Sequence, residues 1–160
     1  MNAEQSAQLR ELLTGRVTAA LGTLHAGAPY VSLVPFALLP DLPAFVIHVS
    51  RLAAHTGDML AEPRVSLLIT GPEQPGASPL ALPRITLLGT ARPLANDAPE
   101  YPAARQAYIA RFPDAAPLFS LGDFSLFLIE PTEARWVAGF AQARTLTPAG
   151  LARALQDGQE

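Results

Sequence analysis

The sequence predicts a mainly β protein, a six-stranded antiparallel split β-barrel with peripheral helices, formed as a single domain over residues 1–160. Three observations predict it. Short apolar and β-branched runs recur from residue 16 to residue 131, too short for helices of ordinary length. Tight Gly- and Pro-containing turns join most of them, which points to an antiparallel meander. The chain is 49% hydrophobic and only 16% charged, enough apolar material for a closed core. Closing the sheet removes the unpaired edges that an open sheet of such strands would expose.

Each element has its own warrant. Residues 4–14 place Leu9, Leu12 and Leu13 on one side of a helix that Gly15 stops. RVTAALGTL (16–24) and YVSLVPFALL (30–39) read as two strands around the turn HAGAP (25–29), where Gly27 is free to take positive φ. PDLP (40–43) is the next turn, and AFVIHVS (44–50) the third strand. Residues 51–61 predict a short helix with Leu52, His55, Met59 and Leu60 on one face, ended by Glu62-Pro63. RVSLLIT (64–70) and RITLLGTARPL (84–94) are the fourth and fifth strands, separated by a loop dense in Gly and Pro. Residues 97–111 predict a helix capped by Asn96 or Asp97. DFSLFLIEP (123–131) is the sixth strand, apolar on both faces and so central or covered by a partner, and RWVAGF (135–140) continues or repeats it. Thr147 and Pro148 open a last helix over 147–157.

Composition excludes several functions. With no cysteine there is no disulfide and no thiolate-bound metal. A net charge of −3 without a basic run argues against a nucleic-acid partner. All 11 basic residues are arginine, so neither a lysine Schiff base nor a lysine general base is available. No apolar run approaches the roughly 20 residues of a membrane span, and the N-terminus has no signal-peptide core; a cytoplasmic protein is the default. Three histidines at 25, 48 and 55 make a poor metal set, and none is assigned. G-x-S-x-G, G-x-G-x-x-G and Walker A patterns do not occur.

The stretch SRLAAHTGDML (50–60) carries the most polar chemistry. It places Ser50, Arg51, His55 and Thr56 at a strand-to-helix junction, where unpaired N–H groups and the positive end of the helix dipole favour an anion. Two readings are open: an anion site, or a Ser50 cap beside a solvated Arg51 and a packed His55. By period two, Tyr30, Ser32, Val34 and Phe36 share one face, as do His48 and Ser50, and Arg84, Thr86 and Thr90. Trp136, the only tryptophan, is followed by Phe140 and Arg144.

These phrases resemble a known family. LGTLHAGAPYVSLVPF, HVSRLAAHTGDMLAEPRVSLLI, RITLLGTARPL and RWVAGFAQAR, together covering most of residues 16–144, are similar to the pyridoxamine 5′-phosphate oxidase-like FMN-binding split barrels, in the branch related to haem-utilisation proteins. The resemblance implies an FMN site at a homodimer interface. Ser50, Arg51, His55 and Thr56 would hold the phosphate, Ser32 and Val34 the ring or ribityl chain, and Arg84 would approach from the fifth strand. Trp136 and Phe140 would come from the other subunit; His48 and Leu52 complete the cofactor-binding candidates. Where the branch usually has Arg-Asn after His-Thr, this chain has Gly57-Asp58, and Asp58 would repel a phosphate. The implied function is an FMN-dependent oxidoreductase; the alternatives are a flavin- or haem-binding carrier or sensor, and a barrel that only dimerises. The chain end at Glu160 and the lack of histidine after His55 lead to the expectation of slow or absent haem turnover.

Overall fold

The structure, a computed structural model, describes residues 1–40 and 43–156. Asp41 and Leu42, within the turn expected at 40–43, and Asp157, at the end of the expected last helix, lie outside the described residues. The chain order is α1 (Ala3–Gly15), β1 (Thr18–His25), β2 (Ala28–Pro35), β3 (Ala37–Leu38), β4 (Phe45–Ser50), α2 (Ala54–Ala61), β5 (Arg64–Thr70), β6 (Arg84–Leu94), α3 (Tyr101–Arg111), β7 (Phe124–Val137), β8 (Ala143–Leu146) and α4 (Pro148–Gln156), with 3-10 turns at Pro79–Ala81 and Pro113–Ser120.

The mainly β barrel fold is observed, but with eight strands among the described residues rather than six. They form one antiparallel sheet in the order β2-β1-β5-β6-β7-β4-β3, with β8 pairing β7. Two local causes account for the difference. The expected second strand breaks after Pro35, which has no N–H to give a ladder, and the N–H of Phe36 goes instead to the carbonyl of Val17 at 3.1 Å. β2 pairs with β1, while β3, one residue further on, pairs with β4. That single bent run therefore links the two ends of the sheet order and curls the sheet into a barrel. The eighth strand arises because RWVAGF continues β7 to Val137, turns at Gly139–Ala141, and returns along it.

The β1–β2 hairpin has a two-residue loop, Ala26 and Gly27, with φ of 50° and 82°. Both central residues take positive φ, as the tightest hairpin turns require. Inside the barrel, Leu21, Phe36, Phe45, Ile47, Leu67, Ile69, Ile85, Phe127 and Trp136 are fully buried. A second apolar layer lies outside β4 and β7, where Val46, Leu126 and Leu128 meet Ala104 and Tyr108 of α3. β7 is thus covered on both faces by its own chain, which explains a strand apolar on both sides without recourse to a partner. Of the two alternatives expected for this strand, central or covered by a partner, the first is the one observed.

The helices serve as covers. α1 turns Leu9, Leu12 and Leu13 onto the core, and its last carbonyls, at Leu13 and Thr14, accept from the Arg111 guanidinium at 3.2 and 3.0 Å. α3 begins at Tyr101, later than expected, with Glu100 and not Asn96 or Asp97 at its start. In α4 Thr147 caps as expected, accepting from the N–H of Gly150 at 3.1 Å. No helix among the described residues is long and apolar enough to cross a membrane.

Candidate functional site

The junction at residues 50–56 forms, but its polar groups are turned on one another. α2 starts at Ala54 rather than Arg51, and its N-cap, Ala53, has no side-chain cap bond. Ser50 Oγ accepts from the N–H of Leu52 at 3.1 Å and donates to the Asp123 carboxylate at 3.3 Å. Thr56 Oγ1 donates to the carbonyl of Ser50 at 2.7 Å and is buried. Arg51 donates through its guanidinium to the carbonyl of Gly122 and through its N–H to the carbonyl of Asp123 at 2.7 Å. Both hydroxyls are therefore spent on acceptors of the chain itself, one of them the Asp123 carboxylate. The helix cover also differs from the expected face: Leu52 is 88% exposed, and Thr56, Asp58 and Met59 are the buried residues.

Asp58 turns toward β1 and makes no hydrogen bond to Ser50, Arg51 or Thr56. It is buried against β1, where its carboxylate accepts from Thr23 Oγ1 at 2.9 Å and from His25 Nδ1 at 2.7 Å. Burial works against its ionisation, but the hydrogen bonds from His25 and Thr23 outweigh it and hold the carboxyl below its ordinary range. The Asp58 carboxylate, expected to repel a bound phosphate, is engaged by Thr23 and His25. His55, one turn earlier on α2, is half-buried; burial pushes its imidazole down, with the Asp58 charge pulling the other way.

The remaining candidates separate. His48 is buried outside the barrel, stacked on Phe119 at 3.9 Å between centroids and flanked by Tyr108 and Phe124. Burial pushes its imidazole down to about 4. Val34 and Trp136 are sealed in the barrel core, so Trp136 cannot reach a ligand held by another subunit; that expectation is wrong because the strand carries its side chain inward. Ser32 is half-buried on β2, and its Oγ has no hydrogen-bond partner among the described residues. Arg84 donates to the carbonyl of Leu82 at 3.0 Å and so braces the loop before β6. Phe140, in the turn between β7 and β8, is 72% exposed.

Sequence reasoning missed the outer face of the barrel. The ladders align Leu33 with Ala20 and Leu68, and Val31 with Gly22, Ser66 and Leu88, across β2, β1, β5 and β6. Val31, Leu33, Leu68 and Leu88 are 68%, 70%, 40% and 47% exposed. A groove of about 610 Å³ runs over this face between Leu24, Tyr30, Val31, Arg64, Leu88 and Thr132. The alternation in VSLVP and RVSLLIT contained the signal, since apolar residues fall on both parities there.

The sequence model of the pyridoxamine 5′-phosphate oxidase family matches residues 6–138. The chain belongs to this family. Within the family its relatives include haem proteins. A chloroplastic haem oxygenase of Arabidopsis thaliana, HOZ, is 38% identical over 140 residues, 85% of this chain and 41% of its own length. The haem oxygenase HutZ of Vibrio cholerae is 28% identical over 138 residues, covering 85% of this chain and 77% of HutZ. A haem-binding protein from Mycobacterium smegmatis superposes with a TM-score of 0.82 at 30% identity, over 92% of this chain and 60% of that one. The chain thus spans about two fifths of the plant protein's length, 41%. These likenesses place it in the haem-utilisation branch, as the sequence phrases indicated. They overturn the reading of an FMN-dependent oxidoreductase with FMN as cofactor; at residues 50–56 both hydroxyls and the Arg51 guanidinium are engaged by acceptors of the chain itself.

Proposed function

We propose that this chain is a haem-binding protein, the role that the sequence analysis held as its alternative. The observation that carries the reading is the exposed apolar face of β2, β1, β5 and β6 with its groove, in a chain whose relatives are named for haem. A porphyrin needs a broad apolar wall and few polar groups, and pockets of roughly 300–1,000 Å³ are typical for ligands of that class. The lining is mostly apolar and carries no carboxylate, with Leu24, Tyr30, Val31, Val65 and Leu88 beside a single arginine, Arg64. Val31 and Leu88 would form the wall, while Arg64 and Thr132 line its polar side. Haem bound there would supply iron and porphyrin chemistry; the protein's own contribution is to bind and orient it.

The homodimer remains part of the proposal. A contiguous apolar face larger than a few hundred Å² is uncommon on a monomer, and a second copy packed on Leu33 and Leu68 would bury the part of the face that the groove leaves over. Titration with ferric haem tests the function: a saturable change in the porphyrin absorption is expected, and free-haem absorption at every protein concentration would refute it. Sedimentation at micromolar concentration tests the assembly, with a folded monomer as the contrary result.

A further inference from the structure

One row of residues crosses the outer face on four strands. Val31 of β2 lies opposite Gly22 of β1, Gly22 opposite Ser66 of β5, and Ser66 opposite Leu88 of β6. Val31 and Leu88 are exposed at the ends of the row, and only small residues stand between them, so the row dips between two apolar shoulders. Arg64 is two residues from Ser66 on β5, so its side chain leaves the same face, about 7 Å further along the strand. It lines the same groove as these four residues, and among the described residues it is the only charged side chain that does.

Arg64 is also held in a definite orientation. Its side chain is 76% exposed, yet Nε and Nη2 donate to the two carboxylate oxygens of Glu62 at 2.8 Å each. An exposed ion pair of this kind stabilises a fold little; its effect here is to grip the guanidinium by its side edge. Glu62 takes two of the five N–H groups of the rigid fork, which leaves two on Nη1 and one on Nη2. Nη1 and Nη2 form the end-on edge, a pair of parallel donors that matches a second carboxylate. Other arginines of the sheet are placed differently. Arg92 is shared between Glu130 and Glu100, Arg84 braces Leu82, and Arg135 lies off the groove, bonded to Thr145.

Haem carries its propionate carboxylates on one edge of the ring and is apolar elsewhere. A ring lying on the row from Val31 to Leu88, with that edge toward Arg64, meets apolar surface and the groove's one guanidinium together. In a chain of net charge −3, that guanidinium is the counter-charge the groove offers. We propose that Arg64, oriented by Glu62, recognises the carboxylates of the bound porphyrin and sets which way round the ring lies. The inference rests on the haem-binding reading above and goes beyond it by naming the ligand class selected, acidic porphyrins over neutral ones, and the residue that selects it.

The test uses the full chain and two probes: ferric haem, and its dimethyl ester, which has the same ring and iron with the carboxylates masked. The wild type should bind haem more tightly than the ester. Arg64 is exposed, so Arg64→Gln should fold, which circular dichroism and the urea midpoint check. Its haem affinity should fall about five- to tenfold in dilute buffer, between the worth of an exposed ion pair and that of a hydrogen bond to a charged group out of water. The difference should shrink as salt is added. The ester should bind Arg64→Gln and the wild type alike. Arg135→Gln makes the same charge change off the groove and should match the wild type with both probes. A wild type that binds the ester as tightly as haem would overturn the inference without any variant. Unchanged haem affinity in Arg64→Gln would overturn it while leaving haem binding intact. Equal losses for haem and ester in Arg64→Gln would do the same, by reducing Arg64 to a part of the wall. An equal loss in Arg135→Gln would overturn it by making net charge the cause. A wild-type protein that takes up neither probe would instead sink the haem reading itself, and the inference with it.

Discussion

Phe119 lies flat on His48, with ring centroids 3.9 Å apart and planes 6° apart. The stack joins β4 to the 3-10 segment Pro113–Ser120 and closes the apolar layer outside the barrel. Its cost is a buried imidazole whose Nδ1 has no hydrogen-bond partner among the described residues.

This burial makes stability depend on pH. The folded-state value of His48 is pushed down to about 4 from 6.5, so the unfolded chain binds the proton first. The contribution is whole above 6.5 and is lost as pH falls from there toward 4, by about 3 kcal/mol at most. His48→Phe keeps an aromatic stack and removes both the proton site and the orphaned nitrogen. Urea unfolding of the two proteins should therefore give similar stabilities at neutral pH and a clear advantage for the variant between pH 6.5 and 4. Parallel pH profiles would show that the imidazole is not held neutral by the fold.

Two glycines offer a contrast in backbone space. A Cβ on Gly89 would lie 2.7 Å from the backbone oxygen of Glu130, where β6 and β7 shift register, and neither strand can retreat. A Cβ on Gly22 would meet only the end of the Ser66 side chain, at 2.5 Å, which can rotate away. Gly89→Ala should destabilise by about 1–3 kcal/mol, as overpacking does, and Gly22→Ala by clearly less. Denaturant midpoints with unchanged slopes measure both, and the reverse ranking would mean that the close approach at Gly89 is absent.

Trp136 reports on the core. As the only tryptophan, fully buried beside Ala134 in the barrel, it should emit at short wavelength and resist quenching by acrylamide until the protein unfolds. Its removal by Trp136→Ala should cost about 3–5 kcal/mol. Exposed-type emission from the folded protein would place this strand's side chains the other way round.

The fold was legible where local chemistry and periodicity agree. The β1–β2 hairpin follows from Gly27, and α4 from Thr147 and Pro148. The length of β7 was not, because Glu130-Pro131 reads as a strand end; the strand passes through Pro131 only since the register shift beside Gly89 relieves it of a ladder bond. The phrase HVSRLAAHTGDML was recognised as unusual, yet its roles depend on what lies far off in sequence. Asp123 and Gly122 occupy Ser50 and Arg51, and Thr23 and His25 occupy Asp58. Those partners are 73, 71, 35 and 33 residues away, beyond any spacing rule.

Haem binding on the outer sheet face is tested most directly by titrating ferric haem into the wild type and into a double variant, Val31→Glu with Leu88→Glu. Both side chains line the groove and are 68% and 47% exposed, so the fold should survive the change. Each contributes up to about 1.5–3 kcal/mol if the ligand buries it, and every 1.4 kcal/mol is about tenfold in affinity. The account predicts saturable binding by the wild type and at least about a tenfold weaker affinity in the variant. Equal haem affinity in the two proteins would contradict it.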